Sequence, residues 1–264
     1  MSYSFSMTSQ TKVLLIGIDG LILQRAIDSG RAATLATLRA EAYFSEMVVD
    51  MPTVSGPSWT TLLTGVTQQV HKVIDNDYAN HNLAAAPDFL TQAAARKPGA
   101  TTYAAAGWPP LIDPSDVGPV IRTRVADQST EKHSIFIRDG ETNGYETVDV
   151  EVAQDAVRAI RDIAPDVSFV YFCGADEAGH LDGTIEGSYF DAIERIDRLV
   201  AQLYQAIHIR NQMHDEEWLI VITTDHGHRD EGGHGGDSPQ ERASFVIAHG
   251  VGVQHPSWPA QIKP

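Results

Sequence analysis

The sequence predicts an α/β fold in which a mainly parallel central sheet is covered by helices on both faces. Short runs of aliphatic and β-branched residues recur along the chain, and such runs are typical of strands buried on both faces. Longer segments between them carry apolar residues three or four positions apart, which is typical of amphipathic helices. The alternation of these two patterns indicates parallel strands joined by helical crossovers.

Six apolar runs have the length and composition of buried strands. In chain order they span residues 12–18, 45–51, 100–106, 167–173, 219–224 and 243–248. The first, fourth and fifth runs are each followed within three residues by an aspartate and a glycine. These residue types favour turns, so the three strands are predicted to end there.

Five segments are predicted as helices. In chain order they span residues 32–43, 59–63, 87–95, 148–164 and 188–209. Apolar residues recur at helical spacing in the first, fourth and fifth segments, and we expect those faces to pack on the sheet. The second helix is expected to have Pro57 in its first turn, Ser55 or Ser58 as its cap, and its end at Gly65.

A single domain is predicted for residues 1–264, because this length and a hydrophobic content of 42% are enough for one large core. Residues 107–147 are rich in Gly, Pro, Asp and Thr and have weak hydrophobic periodicity. We interpret this segment as a surface excursion over the sheet rather than a second domain.

The charge of the chain argues against some classes of partner. The formal net charge is −16, so a polyanion would be repelled at long range, and we expect neither an extended nucleic acid nor a membrane as partner. Neither a signal-peptide pattern nor a run of about 18 apolar residues is found, which favours a cytoplasmic location. Cys173 is the only cysteine and is interpreted as a buried apolar side chain. The oligomeric state is left open.

Three aspartates follow predicted strands. Asp19 follows the first strand, Asp176 the fourth and Asp225 the fifth. Binding sites in open α/β sheets form outside the carboxyl ends of the strands, so we expect the three side chains to share one edge. Three carboxylates packed together repel one another, and divalent cations would remove this repulsion.

Histidines accompany two of these aspartates. His180 follows Asp176 by four positions, which places both side chains on one face of a helical turn. His226 and His234 lie in the glycine-rich stretch DHGHRDEGGHGG, whose glycines allow the backbone to fold back. Three aspartates and three histidines exceed one tetrahedral site and suit two divalent ions, with zinc expected and manganese as the alternative. Two ions ~3.5–4 Å apart are the usual clamp for in-line phosphoryl displacement.

Five segments carry a resemblance to a known family. They are GIDG (17–20), PTVSGPSWTTLLTG (52–65), HKVIDN (71–76), DEAGHLDG (176–183) and DHGHRDEGGHGG (225–236). On these segments, which follow the family's order, the chain resembles the alkaline phosphatase superfamily and within it the type I phosphodiesterase and nucleotide pyrophosphatase branch. The resemblance implies an alkaline phosphatase-like three-layer sandwich and a hydrolase of phosphate esters. We expect a phosphodiesterase that acts on a small-molecule phosphate ester through a phosphoryl-enzyme intermediate.

The resemblance also implies roles for individual residues. The family's nucleophile falls on Ser55, which would also be a metal ligand. Asp176, His180 and His234 would hold one ion, and the other would be held by Asp19, Asp225, His226 and Ser55. Metal coordination lowers the pKa of a hydroxyl group enough to make it a nucleophile near neutral pH.

Substrate contacts are expected from Ser58 and Asn76. Nucleotide pyrophosphatases usually carry asparagine three positions after the nucleophile, where this chain has Ser58. His71, Lys72 and His228 are left without a role. Near the nucleophile the sequence has no arginine, and this shortage of positive charge favours a diester over a dianionic monoester.

Other functions are compatible with the same residues. A phosphomonoesterase is one, and a sulfatase of the same superfamily is another, although sulfatases need an arginine where this chain has Trp59. A phosphate-shifting mutase is disfavoured because the chain is short for a cap domain. A metal-binding module without catalysis is disfavoured because Ser55 stands at the position of the nucleophile.

Overall fold

A seven-stranded sheet forms the centre of the protein, as seen in a computed structural model that describes residues 11–185, 187–214 and 216–252. The strands are β1 (Lys12–Ile18), β2 (Tyr43–Val48), β3 (Thr102–Ala106), β4 (His133–Ile137), β5 (Val167–Phe172), β6 (Trp218–Thr223) and β7 (Ala243–Val251). Their order across the sheet is β2-β7-β6-β1-β5-β3-β4. Strand β7 is antiparallel to its neighbours β2 and β6, whereas the other pairings are parallel. The predicted mainly parallel α/β fold is confirmed.

Helices connect the strands and lie on both faces of the sheet. They are α1 (Leu23–Asp28), α2 (Ala33–Glu41), α3 (Ser55–Thr64), α4 (Gln68–His71), a 3-10 helix (Leu83–Ala85), α5 (Phe89–Arg96), α6 (Pro109–Ile112), α7 (Val125–Gln128), α8 (Gly140–Asn143), α9 (Tyr145–Asp162), α10 (Gly174–Asp182) and α11 (Gly187–His214). None of the helices in the described ranges is long and apolar enough to span a lipid bilayer.

Each face of the sheet has its own apolar core, because successive strand residues point to opposite sides. On one face, Val170 and Phe172 of β5 pack with residues of α2, α9 and α11. On the other face, Phe169 of β5 packs with Trp59 and with residues of α3, α5 and α6. Gly17 in β1 is needed there, since a Cβ atom at this position would lie 2.5 Å from Cη2 of the Trp59 ring.

Two predicted elements near the site differ from the structure. Strand β2 spans Tyr43–Val48 instead of residues 45–51, because its pairing with β7 begins at Tyr43 and ends at Val48. Helix α3 begins at Ser55, its N-cap residue is Val54, and no side chain caps it, so the predicted serine cap is wrong. The Ser55 hydroxyl group lies instead 3.2 Å from His226 Nε2. The predicted end at Gly65 agrees with the structure, where this residue has a φ of 71°.

Residues 107–147 also differ from the predicted surface excursion. They contribute β4, which pairs in parallel with β3 and forms one edge of the sheet. Leu111, Ile112, Val120 and Ile121 are buried in the second core. The segment has weak periodicity because the helices and the strand that lie wholly within it have five residues or fewer, too short to display a repeating pattern.

Candidate active site

The carboxyl ends of three neighbouring strands bring the predicted aspartates together. Strands β6, β1 and β5 lie side by side, and Asp225, Asp19 and Asp176 follow them in the sequence. All three carboxyl groups are buried. Asp176 lies in the first turn of α10, with His180 one turn later on the same helix, as its spacing predicts.

We call Asp19, Ser55, Asp225 and His226 the serine cluster. Nε2 of His226 lies 3.6 Å from Asp19 Oδ1, 3.2 Å from Asp225 Oδ2 and 3.2 Å from Ser55 Oγ. The Nδ1 atom of His226 lies 3.1 Å from the carbonyl oxygen of Gly227, which can only accept, so Nδ1 carries the proton and Nε2 presents a lone pair to the cluster. A lone pair that faces two carboxyl groups is an arrangement that suits a cation between them.

Two oxygen atoms of the serine cluster support this conclusion. Asp19 Oδ1 and Asp225 Oδ2 are buried and have no hydrogen-bond partner among the described residues. Burial, with the nearby charge of Asp176, raises the pKa of Asp19 to about 7. Burial, together with Asp19 and Asp176, also raises the pKa of Asp225 well above its usual range. A divalent ion would satisfy both oxygens and allow both groups to ionise.

We call Asp176, His180, His228 and His234 the histidine cluster. Their ligand atoms all lie within 4.8 Å of one another, and so do those of Asp19, Asp176 and His226, so Asp176 lies between the two clusters. Burial of Asp176 opposes its ionisation, but hydrogen bonds from His180 and His228 outweigh burial and hold its pKa well below the usual range. The chemistry of both donor sets fits divalent metal ions.

Hydrogen bonds fix the orientation of His234. Its Nδ1 atom donates to the carbonyl oxygen of Thr53 at 2.7 Å, so its Nε2 lone pair faces the cluster. This Nε2 lies 2.9 Å from Nε2 of His180 and 3.5 Å from Asp176 Oδ1. Burial lowers the pKa of His234, which keeps the ring neutral and able to bind metal.

A cavity of about 280 Å³ lies over both clusters. Ser55 and Asn76 line it, and so do four residues that we call the cavity wall: Trp108, Glu141, Tyr145 and Glu177. Asn76 Oδ1 accepts a hydrogen bond of 2.7 Å from the Gly56 amide, which leaves the Nδ2 group as the donor available to a ligand. No lysine or arginine is among the described lining residues.

Ser58 and His71 lie outside this cavity. Ser58 lines a separate cavity of about 510 Å³ between β2 and α3, and its contact with substrate stays a prediction. His71 is buried and bonded on both ring nitrogens, to Thr61 Oγ1 at 3.0 Å and to the Val73 amide at 3.1 Å. Lys72, the C-cap residue of α4, is exposed and does not line the cavity.

Sequence reasoning missed three buried residues that orient the site, Tyr171, Trp59 and Asp149. Tyr171 Oη and Trp59 Nε1 both donate to Asp19 Oδ2, at 2.5 Å and 2.8 Å, and so leave Oδ1 to face His226. Asp149 accepts from the amides of Cys173 and Gly174 and thereby holds the start of α10. The position of Asp149 within the apolar face of a predicted helix was a signal for its role. No local pattern indicates the contact of Tyr171 with Asp19, because 152 positions separate the two residues.

Replacing Tyr171 with phenylalanine removes one of the two donors that hold Asp19 Oδ2. We expect the affinity for metal to fall by about 10- to 100-fold while the fold is retained. Competition with a chromogenic chelator measures this affinity. Tyr103→Phe is the matched control, because it removes a 2.8 Å hydrogen bond to Asp155 outside the site. Wild-type affinity in Tyr171→Phe would show that Trp59 alone orients Asp19.

Comparison with known proteins identifies relatives of this chain. The profile of the type I phosphodiesterase / nucleotide pyrophosphatase family matches residues 13–237. GPI ethanolamine phosphate transferase 2 of Aspergillus fumigatus is 27% identical over 199 residues, which are 74% of this chain and 24% of that protein. GPI ethanolamine phosphate transferase 1 of Yarrowia lipolytica is 34% identical over 90 residues, 34% of this chain and 10% of that protein. The chain thus spans a quarter or less of these relatives.

Solved structures share the fold. Phosphonoacetate hydrolase from Sinorhizobium meliloti, in complex with phosphonoformate, superposes with a TM-score of 0.60 at 16% identity, over 83% of this chain and 57% of that chain. A putative sulfatase from Bacteroides thetaiotaomicron superposes with a TM-score of 0.67 at 13% identity, over 95% of this chain and 67% of that chain. At such identities the likeness concerns the fold alone.

The family match extends from β1 to the glycine-rich loop after β6, and therefore over most of the chain. It includes every residue of the two clusters. The resemblance found in the sequence is confirmed: the chain belongs to the type I phosphodiesterase / nucleotide pyrophosphatase family.

Proposed function

We propose that this protein is a metal-dependent phosphoryl-transfer enzyme that cleaves phosphate diesters, with Ser55 as nucleophile. The observation that carries the proposal is the serine cluster. Ser55 Oγ lies beside His226 Nε2, and this nitrogen also lies close to two buried carboxylate oxygens that have no hydrogen-bond partner within the described part of the chain. A hydroxyl group in this setting is placed to lose its proton. Two zinc ions, held by the serine and histidine clusters, would supply positive charge that lowers the pKa of the Ser55 hydroxyl and offsets charge on the phosphoryl group.

The chain's own residues would position the reaction. Ser55 is the first residue of α3 and faces the cavity, so its Oγ can attack a phosphorus atom bound over the clusters. Asn76 Nδ2 would donate to a phosphoryl oxygen, since its Oδ1 is already bonded to Gly56. The bond from phosphorus to the leaving oxygen breaks as the bond to Ser55 forms. The proton of the Ser55 hydroxyl is released to solvent, and the leaving oxygen keeps the bonding electron pair and takes up a proton from solvent to depart as the alcohol. Water or an alcohol would then take the phosphoryl group from Ser55.

The cavity wall favours a diester over a monoester. Glu141 and Glu177 line it without a lysine or arginine among the described lining residues, so a dianionic monoester meets extra repulsion. The three arginines of the 107–147 segment are engaged elsewhere: Arg122 bonds to the Leu83 carbonyl oxygen, Arg124 to Asp127 and Arg138 to Glu151.

The same wall favours a second candidate function, transfer of a phosphoethanolamine group. Carboxylates beside the aromatic rings of Trp108 and Tyr145 attract an ammonium group. Burial, and then the charge of Glu141, raises the pKa of Glu177, so the two acids lie close enough to interact. The curated relatives are named as ethanolamine phosphate transferases, and an aminoethyl phosphodiester would place its ammonium group at this wall.

One series of substrates tests both candidates. We expect a higher kcat/KM for bis-(p-nitrophenyl) phosphate than for p-nitrophenyl phosphate, because the diester carries one negative charge less. The rates for aminoethyl and ethyl p-nitrophenyl phosphate differ only through the ammonium group, so their ratio measures its contribution. Glycerol added to the reaction tests whether the phosphoryl group is transferred to an alcohol. A preference for the monoester would refute diester cleavage. Equal rates for the aminoethyl and ethyl esters, without transfer to glycerol, would remove the second candidate.

A further inference from the structure

We propose that His228 is a fourth protein ligand of the ion at the histidine cluster, which closes that ion's coordination shell with protein atoms. The resemblance assigned only Asp176, His180 and His234 to this ion. The inference rests on the metal dependence proposed above, and it concerns which atoms hold the metal rather than which substrate is cleaved.

The position of His228 supports a role as ligand. Its side chain is fully buried, and its Nε2 lies 2.7 Å from Asp176 Oδ1. The centre of its ring lies 5.2 Å from that of His180 and 5.0 Å from that of His234. All three imidazoles therefore surround one carboxylate, with ligand atoms within 4.8 Å of one another. Three imidazoles and one carboxylate supply the nitrogen and oxygen donors that zinc accepts.

Two glycines make room for the His228 ring. A Cβ atom at Gly179 in α10 would lie 3.0 Å from Cε1 of His228, and one at Gly20 would lie 2.6 Å from its Nε2. Gly20 also has a φ of +62°, a backbone conformation that other residues rarely adopt. The chain thus lacks side chains on both sides of this imidazole, and a larger residue at either position would displace it from Asp176.

The polar contact of the ring is directed at the cluster. Nδ1 of His228 has no hydrogen-bond partner among the residues that the structure describes, whereas Nε2 contacts Asp176. His226 and His234 differ, because each donates its Nδ1 proton to a carbonyl oxygen. The position of His228 is therefore held by packing and by the contact that faces the metal ligands.

A fourth ligand would give the two ions different roles in the site. Four protein donors fill the tetrahedral shell of a zinc ion and leave no position open. The ion of the histidine cluster would then be bound tightly and act through its charge. The ion of the serine cluster would have Asp19, Asp225 and His226 as ligands, and its fourth donor would be the Ser55 oxygen, which is the reacting atom. Zinc should therefore bind with two distinct affinities.

The test uses two substitutions of His228. His228→Gln places an amide nitrogen near the position of Nε2, so it can still donate to Asp176 but is a poor zinc ligand, whereas His228→Ala removes both functions. We expect both variants to lose at least about 100-fold in affinity for the tighter zinc ion, beyond the 10- to 100-fold typical of residues that only orient a ligand. The visible absorption of bound Co²⁺ should change in both. His133→Gln, a buried histidine on β4, is the control and should bind like the wild type.

The outcomes separate this inference from the proposed function. If His228→Gln keeps wild-type affinity and an unchanged Co²⁺ spectrum while His228→Ala does not, His228 only donates a hydrogen bond and the inference is wrong. Wild-type protein that binds no transition metal would overturn both the inference and the proposed metal dependence. Wild-type protein that binds two ions but cleaves no phosphate ester would refute the function alone, and the affinities of the variants would still decide the role of His228.

Discussion

Replacing Ser55 with alanine is expected to lower kcat/KM for a diester by about 10³-fold or more while the protein still binds metal. The reason is that Ser55 Oγ lies 3.2 Å from His226 Nε2 and lines the cavity, and alanine leaves no atom to attack phosphorus. The other residues of both clusters remain in place to bind metal. Steady-state kinetics and metal analysis of the same preparation measure both effects.

Ser168→Ala is the matched control for this substitution. Ser168 is a buried serine on β5 whose hydroxyl has no hydrogen-bond partner among the described residues, and it lies outside the cavity lining. Its replacement should leave the rate unchanged. In the wild type, an acid quench during turnover should yield a peptide phosphorylated at Ser55. Turnover near the wild-type rate in Ser55→Ala would exclude Ser55 as the nucleophile and favour direct attack by water.

Removal of metal by a chelator is expected to abolish hydrolysis, and metal affinity is expected to increase with pH up to about 7. In the metal-free protein, burial raises the pKa of Asp19 to about 7 and that of Asp225 well above its usual range. Below these values both groups hold a proton that the metal must displace. For each proton that the metal displaces, the apparent metal affinity decreases up to about tenfold for every unit by which the pH falls. The contribution of Asp19 to this pH dependence ends above about pH 7, where its carboxyl group is already ionised.

The same linkage governs the stabilisation that metal confers on the fold. An ion held by these clusters would bind the folded protein and not the unfolded chain. We therefore expect the gain in unfolding free energy to be present above about pH 7 and to be lost as pH falls. Chelator competition and thermal unfolding across about pH 5 to 8 measure the two curves. Asp225→Asn removes one titrating ligand, so the slope of log affinity against pH should decrease by about one. Affinity that is constant between about pH 5 and 7, or full activity in excess chelator, would contradict the assignment.

The sequence by itself was sufficient for the elements that carry the site. Apolar runs that end in aspartate predict β1, β5 and β6 within one residue of their bounds. The four-residue spacing of Asp176 and His180 predicts their common helical turn. These features depend on residues within a few positions of one another, and secondary structure can be predicted from such short-range patterns. Hence the mainly parallel sheet and the gathering of three aspartates at one edge followed from the chain alone.

Only the tertiary structure decided the features that depend on distant residues. The apolar run that forms β7 does not indicate whether the strand is parallel or antiparallel to its neighbours. Its antiparallel pairing is seen only in the contacts with β2 and β6. The contact of Tyr171 with Asp19 requires β5 and β1 to be adjacent, which no local pattern specifies. His228 is directed to Asp176 by a loop whose course depends on long-range packing, and by the space left at Gly20 and Gly179. Local propensity sets the elements, but sheet order and loop packing determine which side chains meet.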